Sequence, residues 1–243
     1  MHPPEVAVVI PARDAESTIG AAIDSVRSQP GVAISIIVVD DASVDATASI
    51  AASVPGVRVL SGRGRGPGAA RNIGIAHTRA PFVAFLDADD LRAAGALHLQ
   101  VERLVSRPDA LLVSGEAEVF EHHPGDTGLL LGRPDGPIVH DWNHADLVVG
   151  NSIPMSTVVA RRSALEAVNA FDESPELVGA EDYHLWLRLA ARGRLVHLPR
   201  VAAHYRASTD SLVGLDPAKV SDAGSRARRA LGLESSTTPA GDR

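Results

Sequence analysis

The chain has 243 residues, a formal net charge of −7 and no cysteine. This length fits one large α/β domain, or a core domain with a subdomain, and can bury a substantial core. The acidic balance argues against a general nucleic-acid binder, which usually presents a basic surface. The lack of cysteine excludes a disulfide, a thiolate zinc site and a cysteine nucleophile within these residues.

The sequence shows neither a signal peptide nor a membrane span. The first residues have no basic segment followed by a long apolar run, and no window reaches the roughly 20 apolar residues that cross a bilayer. We therefore expect a soluble, cytoplasmic protein. Peripheral contact with the inner face of the membrane stays open, because Arg226, Arg228 and Arg229 lie close together near the C-terminus. A solvated helix face is the alternative for that cluster.

Short apolar runs alternate with amphipathic patterns in the first half of the chain. The runs are apolar on both faces, which is typical of a parallel sheet covered by helices. The predicted strands are 6–10, 34–39, 57–60 and 82–86, and the predicted helices between them are 18–29, 45–53 and 69–78.

The pattern is less regular after Gly95. Glycine, proline, aspartate and histidine are frequent at 121–137, which predicts a long loop or flap, and the role of this loop stays open. The small polar residues from Glu234 onward predict a disordered tail. The predicted helices of this half are 96–106, 162–169 and 182–192, and the predicted strands are 110–119, 156–160, 195–198 and 202–205.

Acidic side chains follow three of the predicted strands, with Asp14 and Glu16 after the first. Asp40 and Asp41 come after the second strand, and Asp87, Asp89 and Asp90 come after the fourth. The carboxyl ends of strands carry the ligand site in open α/β sheets, so these carboxylates should share one edge. Clustered carboxylates repel, and a divalent cation with diphosphate oxygens would relieve that repulsion. Helix capping is the alternative, but a cap needs only one carboxylate, and the group after the fourth strand has three.

Five sequence blocks occur in order along most of the chain. VVIPARDAE, IIVVDDASVDAT, GAARNIGIA and FLDADD lie within 6–91, and FDE followed by EDYHLWLRL lies within 171–189. Together they resemble glycosyltransferase family 2, with the GT-A fold. The resemblance implies an α/β fold with a mostly parallel central sheet flanked by helices. It implies a nucleotide-sugar-binding half at 1–95, an acceptor-binding and catalytic half at 96–215, and a C-terminal helix with a flexible tail at 216–243.

The same resemblance implies roles for individual residues. Asp182 would be the catalytic base, with Glu181 orienting that base or the acceptor. Asp89 would hold the divalent metal, Mn²⁺ or Mg²⁺, and Asp87 would lie near the ribose. The residues implied to bind the nucleotide-sugar are Pro11, Ala12, Arg13, Glu16, Asp40, Asp41, Arg71, Asp87 and Ala88.

Within that set, the nucleobase pocket departs from the family pattern. Asp41 would accept a base N–H, with Asp40 as the alternative, and Arg71 would approach the nucleotide or its diphosphate. Family members often carry an aromatic residue where this chain has Arg13. A guanidinium can also stack on a base, so binding survives in principle while the identity of the base stays open.

The resemblance implies an inverting glycosyltransferase that moves a sugar from a nucleoside-diphosphate sugar, with a UDP-sugar favoured, to a hydroxyl acceptor. The acceptor stays open among a glycan, a lipid, a natural product and a protein. One alternative is a sugar-1-phosphate nucleotidyltransferase, which should have a glycine-rich basic loop after the first strand, and 11–16 contains no glycine. A non-catalytic nucleotide-sugar-binding protein is the other alternative.

The glycine-rich run at 62–69 contains the pattern GxGxxA. A dinucleotide-binding fingerprint should follow the first strand, whereas this run follows the third. We instead expect a flexible loop that brings Arg63, Arg65 and backbone N–H groups to phosphate, with a solvated turn as the alternative.

Histidine and tryptophan side chains give weaker signals. His140 and His144 have a spacing that would put two imidazoles on one helix face, as in some zinc sites, although packing or surface roles are more common. His204 is a candidate metal ligand that the sequence leaves open. Trp186 should pack in the core, and Trp142 is a candidate to stack on a sugar.

Overall fold

The computed structural model describes residues 5–132, 139–207 and 217–234. Its N-terminal half alternates strands and helices as predicted, because each apolar run is followed by an amphipathic segment. The elements are β1 (Glu5–Ala12), α1 (Ile19–Arg27), β2 (Ala33–Asp40), α2 (Thr47–Ser53), β3 (Val57–Ser61), α3 (Pro67–Ala76) and β4 (Phe82–Phe85).

The second half adds shorter strands and four α-helices around a long strand pair, followed by one more helix near the C-terminus. Two 3₁₀ turns, Met155–Thr157 and Pro175–Leu177, connect these elements. The strands are β5 (Leu91–Arg92), β6 (Ala110–Phe120), β7 (Leu130–Leu131), β8 (His140–Trp142), β9 (Val159–Arg161) and β10 (Arg194–Arg206). The helices are α4 (Ala96–Ser106), α5 (His144–Val149), α6 (Arg162–Ala167), α7 (Glu181–Ala190) and α8 (Pro217–Ala230).

All these strands belong to one sheet with the order β3-β2-β1-β4-β9-β6-β10-β5, to which β7 adds beside β6 and β8 beside β10. The longest pairings, β1 with β2 and β6 with β10, are parallel. The short strand β9 runs antiparallel to both β4 and β6 and joins the two halves. The expected α/β fold with a mostly parallel central sheet is therefore confirmed.

Two apolar layers cover the two faces of the sheet. Side chains alternate along a strand, so Val6 and Val8 of β1 belong to the layer under α1 and α4, whereas Val9 belongs to the layer under α3 and α7. Helix α3 lies so close to β1 that a Cβ on Gly74 would come 2.3 Å from Val9 Cγ1. This close approach holds α3, which carries Arg71, against β1.

Several predicted elements need correction. The segment predicted as a strand at 156–160 begins as the 3₁₀ turn Met155–Thr157, and only Val159–Arg161 pairs in the sheet. The two strands predicted at 195–198 and 202–205 are one strand, β10, with irregular pairing to β6 between His197 and Ala203. The strands β5, β7 and β8 were not predicted, because two or three residues are too few to show a period.

The predicted spacing of His140 and His144 on one helix face is wrong, because His140 lies in β8 and His144 begins α5. Part of the predicted loop at 121–137 pairs with β6 as β7, and residues 133–137 lie outside the described residues. The predicted tail also lies outside them from residue 235 onward. Among the described residues, no helix is long and apolar enough to cross a membrane.

Candidate active site

The loops after β1, β2 and β4 meet at one edge of the sheet, because these strands are parallel neighbours in the order β2-β1-β4. Ala12 at the end of β1 is the register partner of Asp40 at the end of β2. This arrangement places the acidic groups after β2 and β4 along one rim, as the sequence predicts.

Reciprocal hydrogen bonds hold the loops after β1 and β2 together. Glu16 Oε2 accepts the Ala46 N–H at 3.0 Å, and Asp45 Oδ2 accepts the Glu16 N–H at 3.0 Å. The Asp14 N–H donates to Ser43 Oγ at 3.0 Å. Glu16 thus shapes the wall of the site in this structure, and its predicted contact with the nucleotide-sugar stays a prediction.

Asp41 organises the glycine-rich loop that precedes α3. Its side chain is buried, and its Oδ1 and Oδ2 accept the N–H groups of Gly64 at 2.7 Å and Gly66 at 2.8 Å. The Arg65 N–H also points to Oδ1 at 3.3 Å. Because Asp41 accepts these N–H groups, the expectation that they bind phosphate is wrong, whereas the expected approach of Arg63 to phosphate stays a prediction. Arg65 itself forms an ion pair with Glu173 at 2.8 Å.

Asp40 differs from its neighbour, because its Oδ1 is buried and has no hydrogen-bond partner among the described residues. A buried carboxylate oxygen without a donor is costly, and an incoming N–H would satisfy it. Pro11 and Ala12 are buried next to it, whereas the Arg13 side chain is 60% exposed. Asp40 is therefore a better-placed acceptor for a base N–H than Asp41.

Arg71 connects the two halves of the site. Its guanidinium binds Asp87 Oδ1 at 2.6 Å and Glu181 Oε1 at 2.8 Å, and the residue is only 3% exposed. Burial alone would lower the pKa of Arg71, but the charges of Asp87 and Glu181 raise it above its usual value. A salt bridge of this kind positions both carboxylates, and a direct contact of Arg71 with the nucleotide stays a prediction.

Glu181 and Asp182 begin α7 and have different surroundings. Glu181 is buried, and its second oxygen accepts the Gly179 N–H at 2.6 Å. Asp182 is half-buried and receives a 3.3 Å hydrogen bond from Asn151 Nδ2. Burial, and secondly the charge of Glu181, raise the pKa of Asp182 to about 7. A carboxyl group with this pKa can accept a proton near neutral pH.

The loop after β4 presents one carboxylate and buries another. Asp90 is 1% exposed, and its oxygens accept the Ser156 hydroxyl at 2.5 Å and the Arg206 N–H at 2.9 Å. Asp89 is half-buried, and burial together with the charge of Asp87 raises its pKa. Asp90 therefore supports the loop, while Asp89 remains accessible for a ligand. Ala88 between Asp87 and Asp89 is buried.

A cation would fit the charges of this loop, because two neighbouring carboxylates, Asp87 and Asp89, share a half-buried position. Within 5–132, 139–207 and 217–234, no group of three or more histidine or acidic residues could hold a metal ion by itself. The protein would therefore supply one or two oxygens and the diphosphate would supply others, which is a common arrangement for Mg²⁺.

The remaining predicted side chains contact the protein itself. His204 Nδ1 lies 2.8 Å from Glu118 Oε2, on the neighbouring strand. Trp186 is buried and donates to the Ile153 carbonyl at 3.1 Å, which confirms its role in the core. Trp142 is also buried, packed edge-on against His140, so its predicted stacking on a sugar is wrong.

The C-terminal arginines are mostly used inside the fold. Arg226 binds the carbonyl of Val178 at 2.9 Å, and Arg228 binds Glu234 at 2.9 Å. Only Arg229 of the three is exposed. These contacts pack α8 against the segment before α7 and leave little of the cluster for a membrane surface.

Sequence reasoning missed two residues that shape the site. Ser156 was placed in a predicted strand, and Asn151 lies in a segment without periodicity. No local pattern marks either residue, because each acts through a contact that spans more than 30 positions, to Asp90 and Asp182 respectively.

Comparison with known proteins identifies the family. The family model "Glycosyl transferase family 2" matches residues 7–128. The chain belongs to glycosyl transferase family 2. It is 31% identical over 206 residues to the pre-mycofactocin glycosyltransferase of Mycobacterium tuberculosis, which covers 80% of this chain and 41% of that protein. The chain thus spans less than half the length of this relative.

A second relative aligns with this chain over more of its own length. The Escherichia coli protein WfgD, named UDP-Glc:alpha-D-GlcNAc-diphosphoundecaprenol beta-1,3-glucosyltransferase, is 28% identical over 212 residues, covering 85% of this chain and 79% of WfgD.

Two solved structures share the fold. S. aureus TarS 1-349 in complex with UDP superposes with a TM-score of 0.68 at 19% identity, covering 84% of this chain and 61% of that one. The mannosyltransferase PcManGT from Pyrobaculum calidifontis, in complex with GDP-Man and Mn²⁺, has a TM-score of 0.64 at 22% identity, covering 87% of this chain and 59% of that one.

Proposed function

We propose that this family member transfers a sugar from a nucleoside-diphosphate sugar to a hydroxyl acceptor with inversion at the anomeric carbon, and that Asp182 is the general base. The observation that carries the proposal is the half-buried carboxyl of Asp182, with its pKa raised to about 7, beside the Arg71 bridge to the donor-side carboxylates. The name of WfgD and the UDP in the TarS structure support a UDP-sugar as the donor.

Asp182 would take the proton of the acceptor hydroxyl while the oxygen of that hydroxyl forms a bond to the anomeric carbon of the donor sugar. At the same time the bond from that carbon to the diphosphate breaks, and the electron pair leaves with the diphosphate. The transition state has oxocarbenium character, as in glycoside hydrolysis. Attack on the face opposite the leaving group inverts the configuration, which is consistent with a single base.

Asp89 would hold a divalent metal, with Asp87 directed to the ribose by its ion pair with Arg71. When bound, the metal would act as a Lewis acid that neutralises the negative charge growing on the departing diphosphate. The Mn²⁺ and GDP-Man in the PcManGT structure support metal dependence. Asp40 would accept a base N–H through its buried oxygen, and Arg13 would stack on the base from the solvent side.

The base role is tested with Asp182→Asn. We expect loss of transfer, measured as release of UDP from a panel of UDP-sugars with simple hydroxyl acceptors, and nearly unchanged UDP affinity in calorimetry. Asp24→Asn on α1 is the matched control, since the Asp24 side chain is 73% exposed and its ion pair is with Arg27 of the same helix. Wild-type-like turnover by Asp182→Asn would remove Asp182 from the base role.

The metal role is tested with Asp89→Ala. We expect this variant to lose the Mn²⁺-dependent part of UDP binding while it keeps its fold, and unchanged metal-dependent binding would contradict the assignment. The same panel separates transfer from nucleotidyl chemistry, because a nucleotidyltransferase would consume pyrophosphate and would not release a nucleoside diphosphate.

A further inference from the structure

Backbone and side-chain contacts together hold the loop that carries the candidate metal ligand. The loop follows β4, and its first residue, Leu86, donates its N–H to the Val9 carbonyl at 3.2 Å. The Asp90 N–H closes the loop on the Asp87 carbonyl at 3.1 Å. Asp89 lies inside this turn, and the Arg206 guanidinium donates to its carbonyl at 3.0 Å. The direction of the Asp89 side chain also depends on what fixes the turn at Asp87 and Asp90.

One hydroxyl group fixes both of these positions. Ser156 Oγ accepts the Asp87 N–H at 3.0 Å and donates its own hydrogen to Asp90 Oδ2 at 2.5 Å. A serine hydroxyl has one hydrogen to donate and can accept as well, so both capacities are used on this loop. Ser156 is 3% exposed, which means that water cannot easily replace these two bonds.

The backbone of Ser156 is itself held from below the loop. The Arg92 guanidinium donates to the Ser156 carbonyl at 2.5 Å, and its other terminal nitrogen donates to Gln100 Oε1. Gln100 in turn donates to the Thr157 carbonyl at 2.6 Å. In the described part of the chain Arg92 forms no ion pair, so these bonds are made to carbonyl and amide oxygens. Hydrogen bonds from Arg92 and Gln100 therefore hold the backbone of the 3₁₀ turn independently of its contacts with the loop after β4.

We propose that Ser156 is a positioning residue that sets the geometry of Asp87 and Asp89 for the metal–diphosphate complex. The inference rests on the proposed function, because it assumes that Asp89 binds a metal with the donor. The acceptor-binding half of the chain would then contribute to donor binding. The Ser156 hydroxyl comes from the 3₁₀ turn before β9, whereas the carboxylates of Asp87 and Asp89 come from the loop after β4.

The next residue in the chain provides a matched control. Thr157 is fully buried in the same turn, and its hydroxyl donates to the Pro154 carbonyl at 2.7 Å within that turn. Thr157→Val and Ser156→Ala each remove one buried hydroxyl, so both should lower stability by a similar amount. Only Ser156→Ala also removes hydrogen bonds to the Asp87–Asp90 turn.

The experiment measures UDP binding by calorimetry at increasing Mn²⁺, and again with the metal chelated, without any acceptor. We expect Ser156→Ala to weaken the Mn²⁺-dependent affinity for UDP at least tenfold and to change the metal-free affinity less than twofold. Thr157→Val should stay within twofold of wild type in both conditions. Ser156→Cys fills the same space with a weaker hydrogen-bonding group and should change in the same direction as Ser156→Ala.

Equal metal-dependent affinities for wild type, Ser156→Ala and Ser156→Cys would overturn the role of Ser156 and leave the proposed function intact. Equal losses in Ser156→Ala and Thr157→Val would also overturn it, because a general loosening of the turn would then explain the effect. A wild-type protein that binds neither UDP nor GDP in a Mn²⁺-dependent manner would overturn both proposals.

Discussion

Replacing Asp182 by asparagine should make the folded protein more stable at neutral pH. Its pKa is raised from 3.8 to about 7 in the folded state, chiefly by burial and secondly by the charge of Glu181. Keeping this carboxylate ionised in the fold therefore costs free energy. The rise of about 3 in the pKa of Asp182 corresponds to about 4 kcal/mol in the free energy of unfolding, since each pKa unit is worth about 1.36 kcal/mol. Asparagine has nearly the shape of the protonated acid and carries no charge.

The pH dependence gives the sign of the effect. Below pH 3.8 the Asp182 carboxyl is protonated in both the folded and the unfolded chain, so wild type and Asp182→Asn should have similar stability. Between that pH and about 7 the unfolded chain ionises first, so wild type loses stability relative to the variant. Above about pH 7 the difference should stay constant, because both states are ionised.

Urea denaturation at a series of pH values from 5 to 8 measures this difference. Asp172→Asn is a control of opposite sign. The Ser174 hydroxyl lowers the pKa of Asp172, so the ionised form of Asp172 stabilises the fold at pH values above the usual pKa of an aspartate. That variant should be less stable than wild type at pH 7. An Asp182→Asn stability difference that does not change with pH, or a variant less stable than wild type at pH 8, would refute the reasoning.

Three further changes test the framework of the site by urea denaturation at pH 7. Arg71→Met leaves Glu181 buried without its cation and should lower the free energy of unfolding by about 3–5 kcal/mol. A loss below about 1 kcal/mol would mean that the Arg71–Glu181 ion pair does not hold α3 and α7 together. Gly74→Ala should cost about 1–3 kcal/mol because the added methyl meets β1, whereas Gly20→Ala, with no atom within 4 Å of the new Cβ, should be neutral or stabilising. Asp41→Ala leaves the N–H groups of the glycine loop unpaired and should cost about 1–3 kcal/mol; a neutral change would show that the loop holds its shape without this carboxylate.

The N-terminal half of the fold could be predicted from the sequence because its signals are local. The apolar runs of β1, β2 and β4 are continuous, which predicts buried strands, and the helices between them repeat their apolar residues with the helical period. The order of parallel strands then brings Asp40 and Asp89 to the same edge. That edge was predicted correctly for this reason.

The second half could be predicted only in part, because its elements depend on distant partners. Two-residue strands such as Leu91–Arg92 exist only through pairing with β10, and the turn at Ser156 is set by bonds to Arg92 and Asp90. The division of labour between neighbouring carboxylates was hidden for the same reason. Asp41 and Asp40 look equivalent in the sequence, and only the folded position of the glycine loop distinguishes them.

Acidic residues occur as adjacent pairs at three points of this site, and in each pair one member supports the fold while the other is left with unused hydrogen-bonding or ligand-binding capacity. The supporting member has its oxygens filled by N–H, hydroxyl or guanidinium donors of the chain, and the other keeps an oxygen or a partly exposed face for a ligand. The supporting members are Asp41, Asp90 and Glu181, and their partners are Asp40, Asp89 and Asp182. Burial, and secondly the charges of Asp87 and Glu181 respectively, raise the pKa values of Asp89 and Asp182, which suits a cation ligand and a base. Substitution of a supporting member should therefore reduce stability first, and substitution of its partner should reduce ligand binding or turnover without loss of stability.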